Sequence, residues 1–315
     1  MEKNNFMEDN FKIGGTPLVE LTALSQKYGL KTRIFAKIEG ENPAGSIKDR
    51  VALKMIQDFE AQGKIEKGGT IIEATSGNTG IGLAYVCKQR GYSCIIVMPD
   101  NMSRERIDQI KSYGAEIVLT DGSLGMTGAI QKANEIQRTT PNSVIASQFE
   151  NPSNPQAHYE TTGPEIYQNM QTRVDFFVCG VGTGGTLTGV AKYLKEQNKG
   201  TKAIAVEPYN SAVISGEKAG PHGLQGIGAG FIPAVLDTSL IDMVIKVRDE
   251  DAFKMTREVY DIEGVMAGIS SGAALHGAIL LAKKMEQIIG TEIARSIVVI
   301  LPDTGKRYLS MGLFD

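Results

Sequence analysis

The sequence predicts an α/β fold in which mostly parallel sheets are flanked by helices. Short apolar runs recur along the 315 residues, segments with helical spacing lie between them, and glycine-bearing loops join the end of a run to the next helix. Runs without a polar face suit strands covered on both sides, and their alternation with helices implies crossovers between parallel strands. In such sheets ligands bind where the C-terminal ends of strands lead into helices.

In chain order, ENPAGSIKDRVALKMI (41–56) comes first. Ser46 with Asp49 three residues on fits a capping box and predicts a helix from Ser46. TIIEA (70–74), CIIVMP (94–99) and EIVLT (116–120) read as buried strands, with IGLAYVCKQRG (81–91) and RERIDQIKSYG (104–114) as the helices between them. FENPSNPQAHYETTGPE (149–165), taken with Pro141 just before it, holds four of the 11 prolines and is the candidate crossing between two domains. Beyond it, DFFVCG (175–180), KAIAVEP (202–208) and SIVVILP (296–302) read as strands. TGVAKYLKEQ (188–197) and SGAALHGAILLAKKMEQ (271–287) read as helices.

Composition narrows the function classes. Hydrophobic residues at 42% and charged residues at 22% are ordinary for a globular chain of one large or two medium domains. A net charge of −3 with no Lys/Arg-rich block argues against nucleic acid and anionic membrane as partners. No apolar run reaches the roughly 18 residues of a membrane span. The N-terminus MEKNNFMEDNFKIGG has no apolar signal core. Cys87, Cys94 and Cys179 are odd in number and form no C-x-x-C, so they read as buried thiols of a reducing, cytoplasmic compartment. No spacing of His, Cys and carboxylates suggests a metal site, and His158, His222 and His276 read as structural or surface residues.

Four strand-to-helix loops carry candidate chemistry. Lys48 lies just inside the first predicted helix, where the dipole disfavours a cation; the solvated alternative is an ordinary terminal lysine beside Asp49 and Arg50. An ammonium in that position shifts toward the neutral, nucleophilic amine that Schiff-base chemistry needs. In FFVCGVGTGGTLTGV, Gly180, Gly182 and Gly185 spell G-x-G-x-x-G, and Glu207 follows at the distance of a dinucleotide fingerprint. The loop lies past mid-chain, however, and adds the hydroxyls of Thr183 and Thr186. Those suit a terminal phosphate monoester better than a bridging pyrophosphate. In IIEATSGNTGIGLAY, Thr75, Ser76, Asn78 and Thr79 form a candidate carboxylate cradle, or simply cap the helix. In GVMAGISSGAAL, Ser270 and Ser271 cap a helix or meet a ring nitrogen of a ligand. Pyridoxal 5′-phosphate with an amino acid partner satisfies all four: phosphate on GTGGT, aldehyde at Lys48, ring nitrogen at Ser270, substrate carboxylate on TSGNT.

The chain resembles the O-acetylserine sulfhydrylases (cysteine synthases), fold type II pyridoxal-phosphate enzymes of the tryptophan-synthase-β-like class. The motifs that carry this run in order from GGTPLVEL (14–21) through NPAGSIKDR, TSGNTG, MPDNMSRER, QFENPSNP, TTGPEI, GVGTGGT, VEP, QGIGAGFIP and GISSGA to RYLS (307–310). The resemblance implies a two-domain α/β fold. Residues 43–150 would form a smaller mobile domain bearing the carboxylate loop, and 1–42 with 151–315 a larger one bearing the phosphate loop. It implies Lys48 as Schiff-base lysine and acid–base group, and Gly182, Thr183, Gly184, Gly185 and Thr186 as the phosphate cup. Asn78 would meet the ring hydroxyl and Ser270 the pyridine nitrogen. Thr75, Ser76, Thr79 and Gln148 would hold the substrate carboxylate, with Met126 and Gly226 lining the site. The reaction implied is β-replacement of O-acetyl-L-serine by sulfide through an α-aminoacrylate, giving L-cysteine and acetate. Partners implied are a second copy of the chain and the C-terminal tail of serine acetyltransferase. EGENPAGS, EATSGNTG and MPDNMSRER are similar to the B-type isozyme, which also takes thiosulfate, whereas GVGTGGT, QGIGAGFIP and GISSGA are similar to the A-type; LPDTGKRYLS, with Asp303 and Lys306, matches neither. Cystathionine β-synthase, with homocysteine as nucleophile, is the nearest alternative. An O-phosphoserine donor would want a cation near the pocket; none is identifiable in the sequence, with only Lys218 and Arg257 left open.

Overall fold

The computed structural model describes residues 12–101, 104–171, 173–289 and 295–315. The chain opens with β1 (Leu18–Glu20), α1 (Thr22–Lys27), β2 (Arg33–Ile38) and α2 (Lys48–Ala61). Then follow β3 (Thr70–Ala74), α3 (Asn78–Arg90), β4 (Ser93–Pro99), α4 (Arg104–Ser112), β5 (Glu116–Thr120), α5 (Gly125–Thr139) and β6 (Ser143–Ile145). Next come α6 (Ser153–Ala157), a π-helical turn at His158–Thr162, α7 (Gly163–Met170), β7 (Phe176–Gly180), α8 (Gly185–Gln197) and β8 (Lys202–Pro208). The chain closes with β9 (Met243–Val247), α9 (Asp249–Glu263), α10 (Ile269–Ile289), β10 (Ser296–Leu301) and a 3₁₀ segment, Gly305–Met311.

Two sheets result. One has the order β5-β4-β3-β6 and is parallel throughout. The other has the order β1-β2-β10-β7-β8-β9 and is parallel except for β1, which pairs antiparallel with β2. Both faces of the larger sheet are covered, which explains the unbroken apolar runs. Ile297, Val299 and Leu301 of β10 pack with Ala274 and Leu275 of α10, while Val298 and Ile300 turn to the opposite face with Val190 and Leu194 of α8. That is the two-residue period of a strand read against two cores. Around the smaller sheet, Val51 and Met55 of α2 pack with Ile81 and Leu83 of α3 and Ile71 and Ile96 of the strands. Among the described residues no helix is long and apolar enough to cross a membrane.

The expected strands and helices all form, with ends shifted by a few residues. Strands β2 and β9 escape an apolar-run criterion because Arg33, Lys37 and Lys246 interrupt them. The capping box does not form as expected. Helix α2 starts at Lys48 rather than Ser46; Ser46 Oγ accepts from Lys48 N at 3.3 Å, and Asp49 Oδ2 reaches past Ser46 to Ala44 N at 2.6 Å. The reason is tertiary: Ser46 lies in a β-bridge with Asp303, and Ile47 N donates to Pro302 O at 2.8 Å, so the chain entering α2 is held by the loop after β10. Of the motifs quoted, Met102 and Ser103 in MPDNMSRER and the segment 1–11 lie outside the described residues.

Candidate active site

Lys48 is the first residue of α2 and lines a cavity with Cys179, Gly182, Thr183, Gly184, Thr186 and Gly226. Among the described residues no hydrogen bond or ion pair holds its amine. Burial pushes its pKa down, opposed by Cys179 and Asp303. A cation at the positive end of a helix and partly withdrawn from water is doubly disfavoured, so the neutral amine is favoured more than in a surface lysine. Asp49 and Arg50 are buried, not surface neighbours. The Arg50 guanidinium is clamped between two carboxylates: Nε and Nη2 reach Glu39 at 2.7 and 2.8 Å, Nη1 and Nη2 reach Glu165 at 2.6 and 2.8 Å. Lys37 Nζ adds a bond to Glu165 at 2.7 Å. This cluster fixes the first turn of α2 two residues from Lys48.

Opposite Lys48, β7 runs into α8 through the GVGTGGT loop. A Cβ on Gly182 would collide with the Gly226 carbonyl, and one on Gly185 with the Asn154 side chain, so both must lack side chains for the loop to keep its shape. The result is a cradle at a helix N-terminus with two buried hydroxyls, a donor set that fits a phosphate monoester. Thr186 Oγ1 lies 3.2 Å from His158 Nε2, and His158 Nδ1 lies 3.0 Å from Thr162 Oγ1. Burial first, then the charges of Lys48 and Arg50, push the His158 pKa well down, so the ring is neutral. If Nε2 carries its proton, the Thr186 hydroxyl is left to donate into the cradle. The dinucleotide alternative fails on Glu207, whose carboxylate accepts from Ile214 N, Ser215 N and Ser215 Oγ at 2.8, 3.1 and 2.6 Å. It holds its own loop and has no orientation left for a ribose.

The TSGNT loop follows β3 in the smaller sheet. Thr75 and Thr79 are buried, and α3 begins at Asn78, so Asn78 and Thr79 sit in the helix's first turn rather than in the loop. Thr79 Oγ1 donates to Gln148 Oε1 at 2.5 Å, which turns the Gln148 NH₂ group away from Thr79. Asn78 Nδ2 donates to Asp303 Oδ2 at 2.8 Å, and its Oδ1 accepts from Arg307. Thr75 Oγ1 accepts from Gly77 N at 3.2 Å. Ser270 is buried in the first turn of α10 beside Gly226. Met126 packs on Ile72, Val97 and Ala129 under the smaller sheet, away from the Lys48 cavity.

Sequence reasoning missed several residues here. Arg106 reaches Gln225 Oε1 at 2.6 Å and Ser76 O at 3.4 Å, and Arg307 bonds Asn78 and Ala44 O. These two cations, not Lys218 and Arg257, which are exposed, face the TSGNT loop. Asn154 and His158, inside the proline-bearing crossing, support the phosphate loop. The signal for them was the quoted motifs themselves, in which every polar residue is a candidate.

The profile of a family described as "Pyridoxal-phosphate dependent enzyme" matches residues 10–303. A cysteine synthase of Staphylococcus aureus is 48% identical over 304 residues, covering 96% of this chain and 95% of that protein. Among solved structures, a cysteine synthase from Entamoeba histolytica superposes with a TM-score of 0.92 at 43% identity, covering 100% of this chain and 93% of that one. A hydrogen sulfide-producing enzyme from Fusobacterium nucleatum superposes with a TM-score of 0.88 at 45% identity, covering 94% and 97%. With a two-sheet α/β architecture, a half-buried lysine that has no partner among the described residues and a glycine-threonine cradle facing it, this chain belongs to the pyridoxal-phosphate dependent enzymes of fold type II.

Proposed function

We propose that the chain is a cysteine synthase, a transferase that replaces the acetoxy group of O-acetyl-L-serine by sulfide and releases L-cysteine and acetate. The observation that carries this reading is the Lys48 amine, deprotonation-prone and unpartnered among the described residues, in one cavity with the Gly182–Thr186 cradle. Pyridoxal 5′-phosphate, when bound, supplies an aldehyde for that amine and an electron sink for charge developing at the substrate Cα. Gly182, Thr183, Gly184, Gly185 and Thr186 hold the phosphate. Asn78, with one amide hydrogen beyond its bond to Asp303, meets the ring hydroxyl, and Ser270 meets the ring nitrogen. A serine hydroxyl cannot keep that nitrogen protonated as a carboxylate would, which favours elimination of a good leaving group. Thr75, Ser76, Thr79 and Gln148 bind the substrate carboxylate, Gln148 through the NH₂ that Thr79 orients. Lys48 takes the Cα proton, and after sulfur adds at Cβ it gives the proton back. Gly226 lines the approach, whereas Met126, packed under the smaller sheet, takes no part in it.

Residues 43–150 act as the smaller domain, closing over the substrate. The enzyme works as a cytoplasmic homodimer and accepts the C-terminal tail of serine acetyltransferase. The test is the visible absorption of purified protein before and after O-acetylserine, then sulfide. A yellow band that shifts with O-acetylserine and returns with sulfide supports the reading. A return only with thiosulfate or homocysteine changes the nucleophile, and a colourless protein after reconstitution overturns the assignment.

A further inference from the structure

We propose that Asn154 is a positioning residue that couples the phosphate cradle to the carboxylate loop, so that occupation of one sets the geometry of the other. This rests on the roles given to those loops above. Asn154 is fully buried in α6. Its Nδ2 carries two hydrogens and both are used: Gln148 O accepts at 2.8 Å and Thr183 Oγ1 at 3.0 Å. A flipped amide would set Oδ1 against the Gln148 carbonyl, so the bonds fix the amide's orientation.

Each end of this bridge has a chemical consequence. Thr183 Oγ1 accepts from Asn154, which leaves the Thr183 hydroxyl hydrogen to donate to a phosphate oxygen. Gln148 is held on three sides: its backbone O by Asn154, its backbone N by Glu73 Oε1 at 3.3 Å, and its side chain by Thr79. The residue before it, Ser147, sits at φ 53°, a left-handed conformation that a side chain adopts only when its surroundings impose it. Glu73 Oε2 takes the Ser147 N–H at 2.8 Å. Glu73 comes from β3 and fixes this loop to the smaller sheet, while Asn154 fixes it to the cradle. Movement of Thr183 against a phosphate is therefore passed by one amide group to Gln148. By reciprocity, a carboxylate on Gln148 tightens the cradle by the same factor.

The test uses the holoenzyme and the variants Asn154→Asp and Asn154→Ala, each checked for folding by its thermal transition. Two constants are measured: the cofactor dissociation constant by equilibrium dialysis, and KM and kcat for O-acetylserine. Losing a hydrogen bond that orients a donor to a charged group predicts about a tenfold rise in both the cofactor constant and KM, with kcat changed less. If these variants fail to fold, Asn154→Ser, which keeps one short donor and leaves the cradle glycines intact, serves; it too should raise both constants. A change in only one constant, or a loss of thermal stability with neither changed, overturns the coupling alone. Wild-type protein that binds no pyridoxal phosphate overturns the functional reading and the coupling with it.

Discussion

Replacing Arg50 by Met should destabilise the protein by about 3–5 kcal/mol, the usual result of removing one member of a buried ion pair. The magnitude follows from what is left behind. Glu39 and Lys37 are wholly buried, and Arg50 supplies two bonds to each of Glu39 and Glu165. Met fills the space but leaves the Glu39 carboxylate, among the described residues, with Thr16 and Asn42 as its remaining side-chain partners. A second estimate comes from Glu165. Burial alone would raise its pKa, yet the bonds and charge of Arg50, with Gly15 and Lys37, lower it from 4.5 to about 2. Its side chain is 21% exposed, so little is discounted for solvent screening. Held there, the group contributes about 3 kcal/mol at neutral pH. Because the folded value is the lower one, the contribution is present above pH 4.5 and is lost as pH falls through about 2. The assay is urea denaturation followed by circular dichroism at several pH values. Arg50→Met should show its full deficit at pH 7, and Glu165→Gln should approach the wild type as pH falls below 4.5. Arg50→Met with Glu39→Leu should recover part of the loss, since no charge is then stranded. A loss below about 1 kcal/mol for Arg50→Met, or a Glu165→Gln deficit that persists at low pH, would mean that this buried cluster is not held by the Arg50 charge.

Lys48→Ala should lower turnover by at least ~100-fold while the folded protein still binds pyridoxal phosphate through the cradle; wild-type rates would remove Lys48 from the mechanism. Burial raises the Glu73 carboxyl to about 7 despite its bonds from Gln148 and Ser147, so its contribution to stability is present below 4.5 and is lost as pH rises through about 7. Urea midpoints between pH 5 and 8 should therefore fall for the wild type relative to Glu73→Gln, and parallel curves would contradict the shift. Cys179, pushed up to about 12 by burial although Lys48 pulls it down, should resist iodoacetamide at pH 8 in the folded protein and label in urea, as read by mass spectrometry. Rapid labelling of the native protein would mean that the cavity beside Lys48 is open to reagent.

Much of this architecture is written in local pattern. Runs such as SIVVILP are apolar at every position because both faces of β10 meet a core, and the GTGGT and TSGNT loops declare themselves because glycines and short hydroxyls cluster where strands end. The strand β2 was not legible in this way. Lys37 looks like a surface residue, and its burial is made tolerable by pairing with Glu165, 128 positions away in sequence, and by the Thr16 carbonyl. The same holds for the start of α2, where the local capping signal at Ser46 gives way to the bond that Ile47 N donates to Pro302 O and a bridge to Asp303.

By itself, then, the sequence determined the class of fold, the candidate ligand loops and the residue types in them, because periodicity and loop composition depend on neighbours a few positions apart. Tertiary structure alone decided which hydroxyl donates, which arginines face the TSGNT loop and how Gln148 is joined through Asn154 to Thr183. Those depend on atoms brought within about 3 Å from distant parts of the chain, and hydrogen-bond direction has no signature in the order of residues.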